Sequence, residues 1–405
     1  MFASTSPELA QDLFRRWAKI QPGIRGLDAD ALLVCTPVNQ LYLTGKIFNG
    51  YIWMPRSGSP HIFVRRPASL TGANVHPVKV PEDIPGILVR LGIPVGRWAL
   101  EGEELPWAFF MRLSRLSEPP AVSDPTLPKR AVRPAASGSG LLRRARCYKT
   151  AHEIAIMREG GARHAGAVAT FPQFFKAGMT DQEFAAGCEA AVRHAGSLGL
   201  FRIHGMSMEC HMGTVLAGDN AGAESPYDFA LGGAGLDDSL PVGQNNTVLE
   251  RGMTVLVDIA YNHRGYLTDC SRTFSIGKPS KEVLAAHQCC VDIQAALAAA
   301  AVPGASCAEL YQIALDRAAD AGYADNFMGL SKKAKFVGHG TGLFINEWPV
   351  IGASAVHDLH PDQVVAFEPK IVLPGVGAVG VEDTFVITDS GAENITPCPR
   401  EIVKL

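Results

Sequence analysis

Four acidic residues of the C-terminal half stand in apolar surroundings that are typical of buried strands. Asp258 interrupts an apolar run, and Asp269 follows on a second strand, with a hairpin turn predicted near 262–265. Glu368 and Glu382 repeat this arrangement more than a hundred residues later. A buried carboxylate costs free energy unless it is paired or bound to a cation. We therefore expect the four carboxylates to hold cations.

One histidine offers a nitrogen ligand to the same group. His339 lies between glycines in Gly338-His-Gly-Thr-Gly-Leu. Converging carboxylates repel one another, and two divalent ions would neutralise four of them. Oxygen ligands with one imidazole suit Mn, Fe, Co or Zn better than Ca. A paired-metal site activates water and polarises a carbonyl or phosphoryl oxygen. Taken singly, each acidic residue is more typical of a turn, but the set together favours a site with two divalent ions (Mn, Co, Zn or Fe).

Two strand-rich sections must position these residues. Sections 240–280 and 335–388 each contain an apolar strand, a glycine-bearing reversal and a second strand, which makes a weak internal repeat of hairpin form. Helical periodicity predicts further elements at 7–20, 81–92, 141–158, 180–195 and 280–300. Short predicted strands lie at 32–36, 40–44, 51–54 and 61–64. Strands alternating with helices predict a small α/β domain at the N-terminus.

A short run of small residues divides the chain. The segment 134–140 reads Pro-Ala-Ala-Ser-Gly-Ser-Gly, which is typical of a flexible connection. We therefore predict an N-terminal domain over 1–136 and a catalytic domain over 141–405.

Composition excludes several classes of function. The 405 residues carry a net charge of −3, and the basic excess of a nucleic-acid-binding protein is missing. Nine cysteines without a CxxC pair argue against a disulfide framework and favour a reducing cytoplasm. The start of the sequence lacks the pattern of a signal peptide, and its longest apolar stretch is too short to span a bilayer. We expect a cytoplasmic protein that binds neither nucleic acid nor membrane.

The metal-site motifs resemble those of the pita-bread metallopeptidases, which include methionine aminopeptidase, aminopeptidase P and prolidase. The resemblance covers 145–400 and includes Phe367-Glu-Pro-Lys, while 14–66 is similar to the N-terminal domain of creatinase and prolidase. It implies an α+β pita-bread catalytic domain with a smaller α/β N-terminal domain. It also implies that the first Asp chelates one metal, the second Asp and the last Glu bridge both, and the His and the first Glu hold the other. The metal ligands would be Asp258, Asp269, His339, Glu368 and Glu382.

The sequence departs from this family at two histidines that contact substrate. One is expected about 17 residues before Asp258, where the chain reads Asp-Ser-Leu-Pro-Val-Gly-Gln, and the other is replaced by Asn346. Asn donates hydrogen bonds but is no general acid or base near neutral pH. His204 and His211 are either strand-edge residues near the site or replacements for a missing histidine. We predict Glu368, Asn346 and His211 as catalytic residues, in a divergent branch of the family.

The resemblance leaves two enzyme functions open. The first is a hydrolase of the Xaa-Pro aminopeptidase or dipeptidase type, in which water bridging the metals attacks a small peptide. The second is a metal-dependent lyase acting on a small molecule such as dimethylsulfoniopropionate, because segment 218–235 resembles lyases of this fold. A binding protein without activity is disfavoured, since the ligand set is complete. The family also implies a homodimer.

Overall fold

The computed structural model describes residues 1–117, 134–205 and 210–405. They form two compact units, 1–146 and 147–405. The division lies ten residues beyond the predicted end of the first domain at 136. The reason is that the chain after 136 still pairs and packs with the first unit: Gly138 donates its N–H to Leu100 O, and Tyr42 donates its hydroxyl to Ala145 O.

The first unit is built around one mixed sheet. Its strands are β1 Ala31–Val34, β2 Asn49–Pro55, β3 His61–Arg66, β4 Val75–Pro77, β5 Trp98–Leu100 and β6 Ala136–Ser137, in the order β4-β3-β2-β1-β5-β6. Its helices are α1 Pro7–Gly26, α2 Pro37–Thr44, α3 Asp83–Arg90, α4 Trp107–Ser114 and α5 Ser139–Cys147. Leu33, Phe63 and Trp98 are buried in the core of this unit.

The second predicted strand of this unit was wrong. Residues 40–44 belong to helix α2, which begins at Pro37 and ends at Thr44, and Gly45 follows in the left-handed conformation, φ 71°. Proline at the first position and glycine just after the last are typical helix boundaries. The apolar residues of 40–44 therefore pack as one face of a short helix.

The described residues of the second unit combine α-helices with sheets. The helices are α6 Ala151–Val168, α7 Asp181–His194, α8 Lys281–Ala300 and α9 Cys307–Asp320. The strands are β7 Gly213–Ala217, β8 Thr254–His263, β9 Tyr266–Ser275, β10 Phe336–Gly340, β11 Glu347–Gly352, β12 Val364–Phe367, β13 Lys370–Leu373, β14 Gly377–Gly380, β15 Asp383–Thr388, β16 Gly391–Asn394 and β17 Val403–Lys404. One sheet runs β17-β9-β8-β7, a second runs β11-β10-β12-β15-β16, and β13 pairs with β14.

The two hairpins predicted from the internal repeat are both present but differ in regularity. Strands β8 and β9 pair over ten residues, and the two-residue turn Arg264-Gly265 has positive φ at both positions, as a tight hairpin turn requires. The second hairpin is interrupted, because β12 pairs with β15 whereas β13 pairs with β14. The interruptions fall at Glu368-Pro369 and at Val381-Glu382, so two acidic residues lie where regular pairing stops.

Two helical predictions need refinement. The run 141–158 is divided into α5 and α6, because Thr150 and Glu153 form a reciprocal capping box that begins α6. Helix α8 is, among the described residues, long and apolar enough to cross a membrane by length and composition. Its Ala286, Ile293 and Leu297 are buried in a hydrophobic core cluster of the second unit, which explains its apolar composition.

Candidate metal centre

The β8–β9 hairpin carries the two aspartates. Asp258 pairs with Ser271, and Asp269 pairs with Ala260, so the two acidic residues lie diagonally across the ladder. Residues two apart along a strand share a face, which places both carboxylates on the same side of the sheet. Asp269 is held in this position by Thr384, whose hydroxyl accepts from Asp269 N at 2.8 Å and donates to Asp269 O at 2.9 Å.

Strand β10 presents His339 to these carboxylates. His339 Nδ1 lies 3.2 Å from Gly340 O, which can only accept, so the proton is on Nδ1 and Nε2 offers its lone pair. Nε2 lies 3.4 Å from Glu368 Oε1 and 3.8 Å from Asp269 Oδ2. Ligands of one ion, each bound at about 2.1 Å, are separated by roughly 3.0–3.4 Å. The imidazole and Glu368 have the spacing of ligands of a common ion, and Asp269 Oδ2 lies 0.4 Å beyond that range.

Glu382 completes the cluster from the second break in the hairpin. Ser271 donates its hydroxyl to Glu382 Oε2 at 2.6 Å, and Glu382 N donates to Ser271 O at 3.1 Å. Glu382 Oε1 and Glu368 Oε1 are buried and have no hydrogen-bond partner among the described residues. Buried polar atoms are normally satisfied, so two unsatisfied carboxylate oxygens in one place indicate a ligand.

The donors fall into two groups that each have the composition and spacing of a metal site. One contains Asp269, His339 and Glu382, and the other contains Asp258, Glu368 and Glu382. Within each group the ligand atoms lie within 4.8 Å of one another. A divalent ion fits the group that contains His339. The lone pair of the imidazole Nε2 lies close to carboxylate oxygens that have no hydrogen-bond partner among the described residues.

The second group already contains a cation. Lys370 is fully buried, and its Nζ lies 2.7 Å from Asp258 Oδ2, 2.7 Å from Glu368 Oε2 and 3.6 Å from Glu382 Oε2. This lysine ends the motif Phe367-Glu-Pro-Lys, and its contact with the carboxylates was not predicted from the sequence. The available signal was a lysine opening an apolar strand two residues after a proposed ligand, since a buried ammonium requires carboxylate partners.

The buried charges shift one another's pKa values. Burial, together with the charges of Asp258 and Glu368, raises the pKa of Asp269 well above its usual range. Burial and the charge of Asp269 likewise raise the pKa of Glu382. Burial alone would lower the pKa of Lys370, but the surrounding carboxylates outweigh it and hold the pKa well above its usual value. The centre is thus a cluster of excess negative charge that favours cations.

An arginine next to the centre holds the backbone of one predicted metal ligand. Arg272 forms a buried ion pair with Asp383 at 2.6 Å and donates to Glu382 O at 2.7 Å. The contact with Glu382 is through the main chain, so Arg272 fixes the backbone that carries the ligand.

Asn346 is held by the backbone of a neighbouring segment. Its Oδ1 accepts from His204 N at 2.7 Å, and its Nδ2 donates to His204 O at 2.8 Å. These reciprocal bonds tie segment 201–205 to the start of β11. The catalytic role predicted for Asn346 stays a prediction, and the role that its contacts describe is positioning.

His211 lies outside the two donor groups. It neighbours Glu189 of α7. Burial raises the pKa of Glu189 above its usual value, and the interaction with His211 partly opposes that shift. A Cβ built on Gly243 would lie 3.9 Å from His211 Cδ2. Gly243 belongs to the segment where the family histidine is missing, so His211 lies against that segment. Its predicted catalytic role stays a prediction.

Family comparisons match both parts of the chain. The sequence model of metallopeptidase family M24 matches residues 155–389, which is more than half of the chain. The creatinase/prolidase N-terminal domain matches residues 16–131.

Individual relatives are peptidases by name. The chain is 34% identical over 185 residues to an uncharacterized peptidase, YqhT, of Bacillus subtilis, and equally to an Xaa-Pro dipeptidase of Pyrococcus furiosus. Each alignment covers 45% of this chain and 51% of the relative, so the chain spans about half the length of the curated relatives it matches.

A solved structure covers nearly the whole chain. The Xaa-Pro dipeptidase of Bacillus anthracis superposes with a TM-score of 0.77 at 20% identity, over 97% of this chain and all of that one. The predicted fold is confirmed: a pita-bread domain preceded by a smaller creatinase-type domain, with mixed helices and strands.

Proposed function

The chain belongs to metallopeptidase family M24, and from this premise we propose that it is a metal-dependent hydrolase of the Xaa-Pro dipeptidase or aminopeptidase type. The observation that carries the proposal is the convergence of His339 Nε2 with Glu368 Oε1 and Asp269 Oδ2 at 3.4 and 3.8 Å. Five residues spread over 125 positions meet in one buried cluster, and they supply the oxygen and nitrogen ligands that suit Mn, Co, Zn or Fe.

The residues of the centre would have different roles in peptide hydrolysis. Asp269, His339 and Glu382 would hold a divalent ion, which supplies Lewis acidity toward a carbonyl and lowers the pKa of water. Glu368 keeps Oε1 free of hydrogen bonds from the described residues, 3.4 Å from the imidazole, and would receive the proton of the attacking water. The sequence predicted two ions. The second ion would need the group Asp258, Glu368 and Glu382, where the Lys370 ammonium already lies.

His211 is proposed as the substitute for the missing substrate histidine. Its ring lies against Gly243, in the segment where that histidine is expected. An imidazole there would donate a hydrogen bond to the peptide carboxylate or carbonyl. Asn346 contributes by holding the 201–205 segment in place.

An assay of peptide turnover tests the proposal. Purified protein is loaded separately with Mn²⁺, Co²⁺, Zn²⁺ or Fe²⁺ and offered Xaa-Pro and matched Xaa-Ala dipeptides. We expect cleavage of Xaa-Pro that disappears in His339→Ala and persists in His360→Ala, a change at an exposed histidine. Metal binding without cleavage of any peptide rejects the proposal.

The lyase alternative predicts a different product from the same protein. Release of dimethyl sulfide from dimethylsulfoniopropionate, with no peptide cleaved, would decide for elimination. The peptide reaction is preferred because the relatives that the chain matches are named as peptidases.

Two further properties are proposed on general grounds. We propose a homodimer, following the family resemblance, and light scattering of the eluting protein would give its mass. We also propose a cytoplasmic location, because all nine cysteines are free thiols, as a reducing compartment favours. Fractionation of the source cells tests the location.

A further inference from the structure

The ammonium of Lys370 lies where a second metal ion would find its ligands. It contacts each of the three residues of one donor group: Asp258 at 2.7 Å, Glu368 at 2.7 Å and Glu382 at 3.6 Å. The ammonium hydrogen bonds use Asp258 Oδ2 and Glu368 Oε2. A divalent ion would need oxygens of the same residues, so the two cations compete for one set of ligands.

The fold delivers this lysine to the centre by packing. Lys370 opens β13 and pairs with Gly380 of β14. A Cβ at Gly380 would approach Lys370 Cγ to 2.8 Å, so the missing side chain leaves the space that the lysine stem fills. The main chain is fixed as well, since Lys370 O accepts from Met328 N at 2.9 Å. Fully buried, the side chain has no route to solvent without local rearrangement.

The other donor group is left for a metal. Glu368 uses Oε2 for the lysine and keeps Oε1 facing the imidazole, and Glu382 keeps Oε1 unsatisfied among the described residues. One ammonium and one divalent ion balance three of the four carboxylate charges. Two divalent ions beside the ammonium would leave a net positive charge buried in the protein, which is costly.

We propose that Lys370 replaces one of the two cations, so that the centre holds a single divalent ion bound by Asp269, His339 and Glu382. This inference rests on the proposed use of the centre by a divalent ion, and is independent of whether a peptide is the substrate. The centre then carries a permanent positive charge beside a single divalent ion.

Metal stoichiometry tests the proposal directly. Metal-free protein is titrated with Mn²⁺ and with Co²⁺ in a calorimeter, and the bound metal is counted by elemental analysis after gel filtration. We expect one equivalent per chain in the unmodified protein and two in Lys370→Ala, which frees Asp258 and Glu368. The matched control is Lys149→Ala, which removes another buried lysine, one that pairs with Glu347 at 3.2 Å outside the centre, and should leave the count at one.

Each result supports or overturns the inference. Two equivalents in the unmodified protein overturn it while leaving metal-dependent hydrolysis intact. A count that stays at one in folded Lys370→Ala also overturns it. No bound metal rejects both the inference and the proposed function, whereas one equivalent without peptide cleavage rejects the proposed function alone.

A second measurement avoids dependence on the variant. If Lys370→Ala does not fold, electron paramagnetic resonance of the unmodified protein in excess Mn²⁺ replaces it. An isolated Mn²⁺ signal, amounting to one ion per chain, supports the inference. A spin-coupled Mn²⁺ pair overturns it.

Discussion

Glu101 of the first unit and Glu382 of the second are both buried carboxylates, but only one of them is satisfied by the fold. Glu101 Oε2 accepts from Cys35 N at 2.7 Å and from Thr36 N at 3.0 Å. Its Oε1 accepts from Asn39 Nδ2 at 2.7 Å and from the Thr36 hydroxyl. This carboxylate thereby binds the N–H groups of Cys35 and Thr36, directly before the first residue of α2, and stabilises the start of that helix.

In Glu382, by contrast, only one of the two carboxylate oxygens is hydrogen-bonded by the described residues. Ser271 satisfies Oε2, while Oε1 has no partner among the described residues and faces other carboxylates. A buried carboxylate whose oxygens all accept hydrogen bonds has a structural role. One with an unsatisfied oxygen beside like charges is placed to bind a cation. The comparison shows that hydrogen-bond satisfaction, more than burial, separates the two roles.

The same contrast recurs between adjacent residues. Asp383 directly follows Glu382, and its oxygens accept from Arg272 at 2.6 Å and from Thr396 and Arg400 at 3.3 Å. Burial raises the pKa of Asp383, and Arg272 opposes that shift. One residue of this pair therefore supports the site, and its neighbour is placed to bind the ligand.

The largest effect is expected at the satisfied pair of the second unit. Arg272→Met leaves Asp383 buried without its main partner and should lower the free energy of unfolding by about 4 kcal/mol, measured by urea denaturation. The control is Arg158→Met, which removes a half-exposed pair with Glu393 and should cost less than about 1 kcal/mol. Equal losses in the two variants would contradict the distinction.

A somewhat smaller loss is expected in the first unit. Glu101→Ala strands the donors that the carboxylate satisfies and should lower the free energy of unfolding by about 3 kcal/mol. Metal affinity should be unchanged, since no residue of either donor group is altered. Glu103→Ala, in the next turn of chain, is the matched control and should change stability by at most about 0.5 kcal/mol. A loss of metal affinity in Glu101→Ala would refute its structural role.

A change at the unsatisfied carboxylate of Glu382 should lower metal affinity without lowering the stability of the metal-free protein. Glu382→Gln should weaken metal binding about 100-fold, equivalent to about 2.7 kcal/mol, because it removes one charged ligand. Without metal, the variant should be at least as stable as the unmodified protein, since one of several repelling charges is gone. Calorimetric titration and metal-free denaturation check both parts. A metal-free destabilisation as large as that of Glu101→Ala would break the comparison.

A buried neutral group gives the smallest effect and extends the comparison to pH. His164 is fully buried, its Nδ1 lies 3.1 Å from the Thr268 hydroxyl, and burial lowers its pKa to about 3. Because the unfolded value is near 6.5, acid protonates the unfolded chain first, and stability falls as the pH drops below about 6.5. Between pH 7 and pH 5 the histidine should cost about 2 kcal/mol.

Unfolding curves at the two pH values test this expectation. The loss between pH 7 and pH 5 should be about 2 kcal/mol smaller in His164→Asn than in the unmodified protein. His194→Asn, a change at an exposed histidine, serves as the control. An unchanged pH dependence in His164→Asn would show that His164 is accessible to protons in the folded protein.

Local pattern was sufficient for much of the fold. The apolar runs around Asp258 and Asp269 predicted the β8–β9 hairpin with its turn, because alternation and glycine placement are local properties. The helix at 37–44 was missed, because a short apolar segment has the same composition in a helix and in a strand. The compact units divide after 146, because the helix that follows 136 packs with the first unit, and such packing is a tertiary property.

The sequence by itself determined which residue types were available: four carboxylates and an imidazole in apolar strands and a glycine loop, with a resemblance that named the fold. Only the tertiary structure decided which carboxylate oxygens are satisfied, and that Lys370 reaches Asp258 across 112 positions. The physical reason is that hydrogen-bond and ion-pair energies fall steeply with distance and angle. Chain spacing fixes neither of these, so the number of cations at the centre depends on how the strands pack.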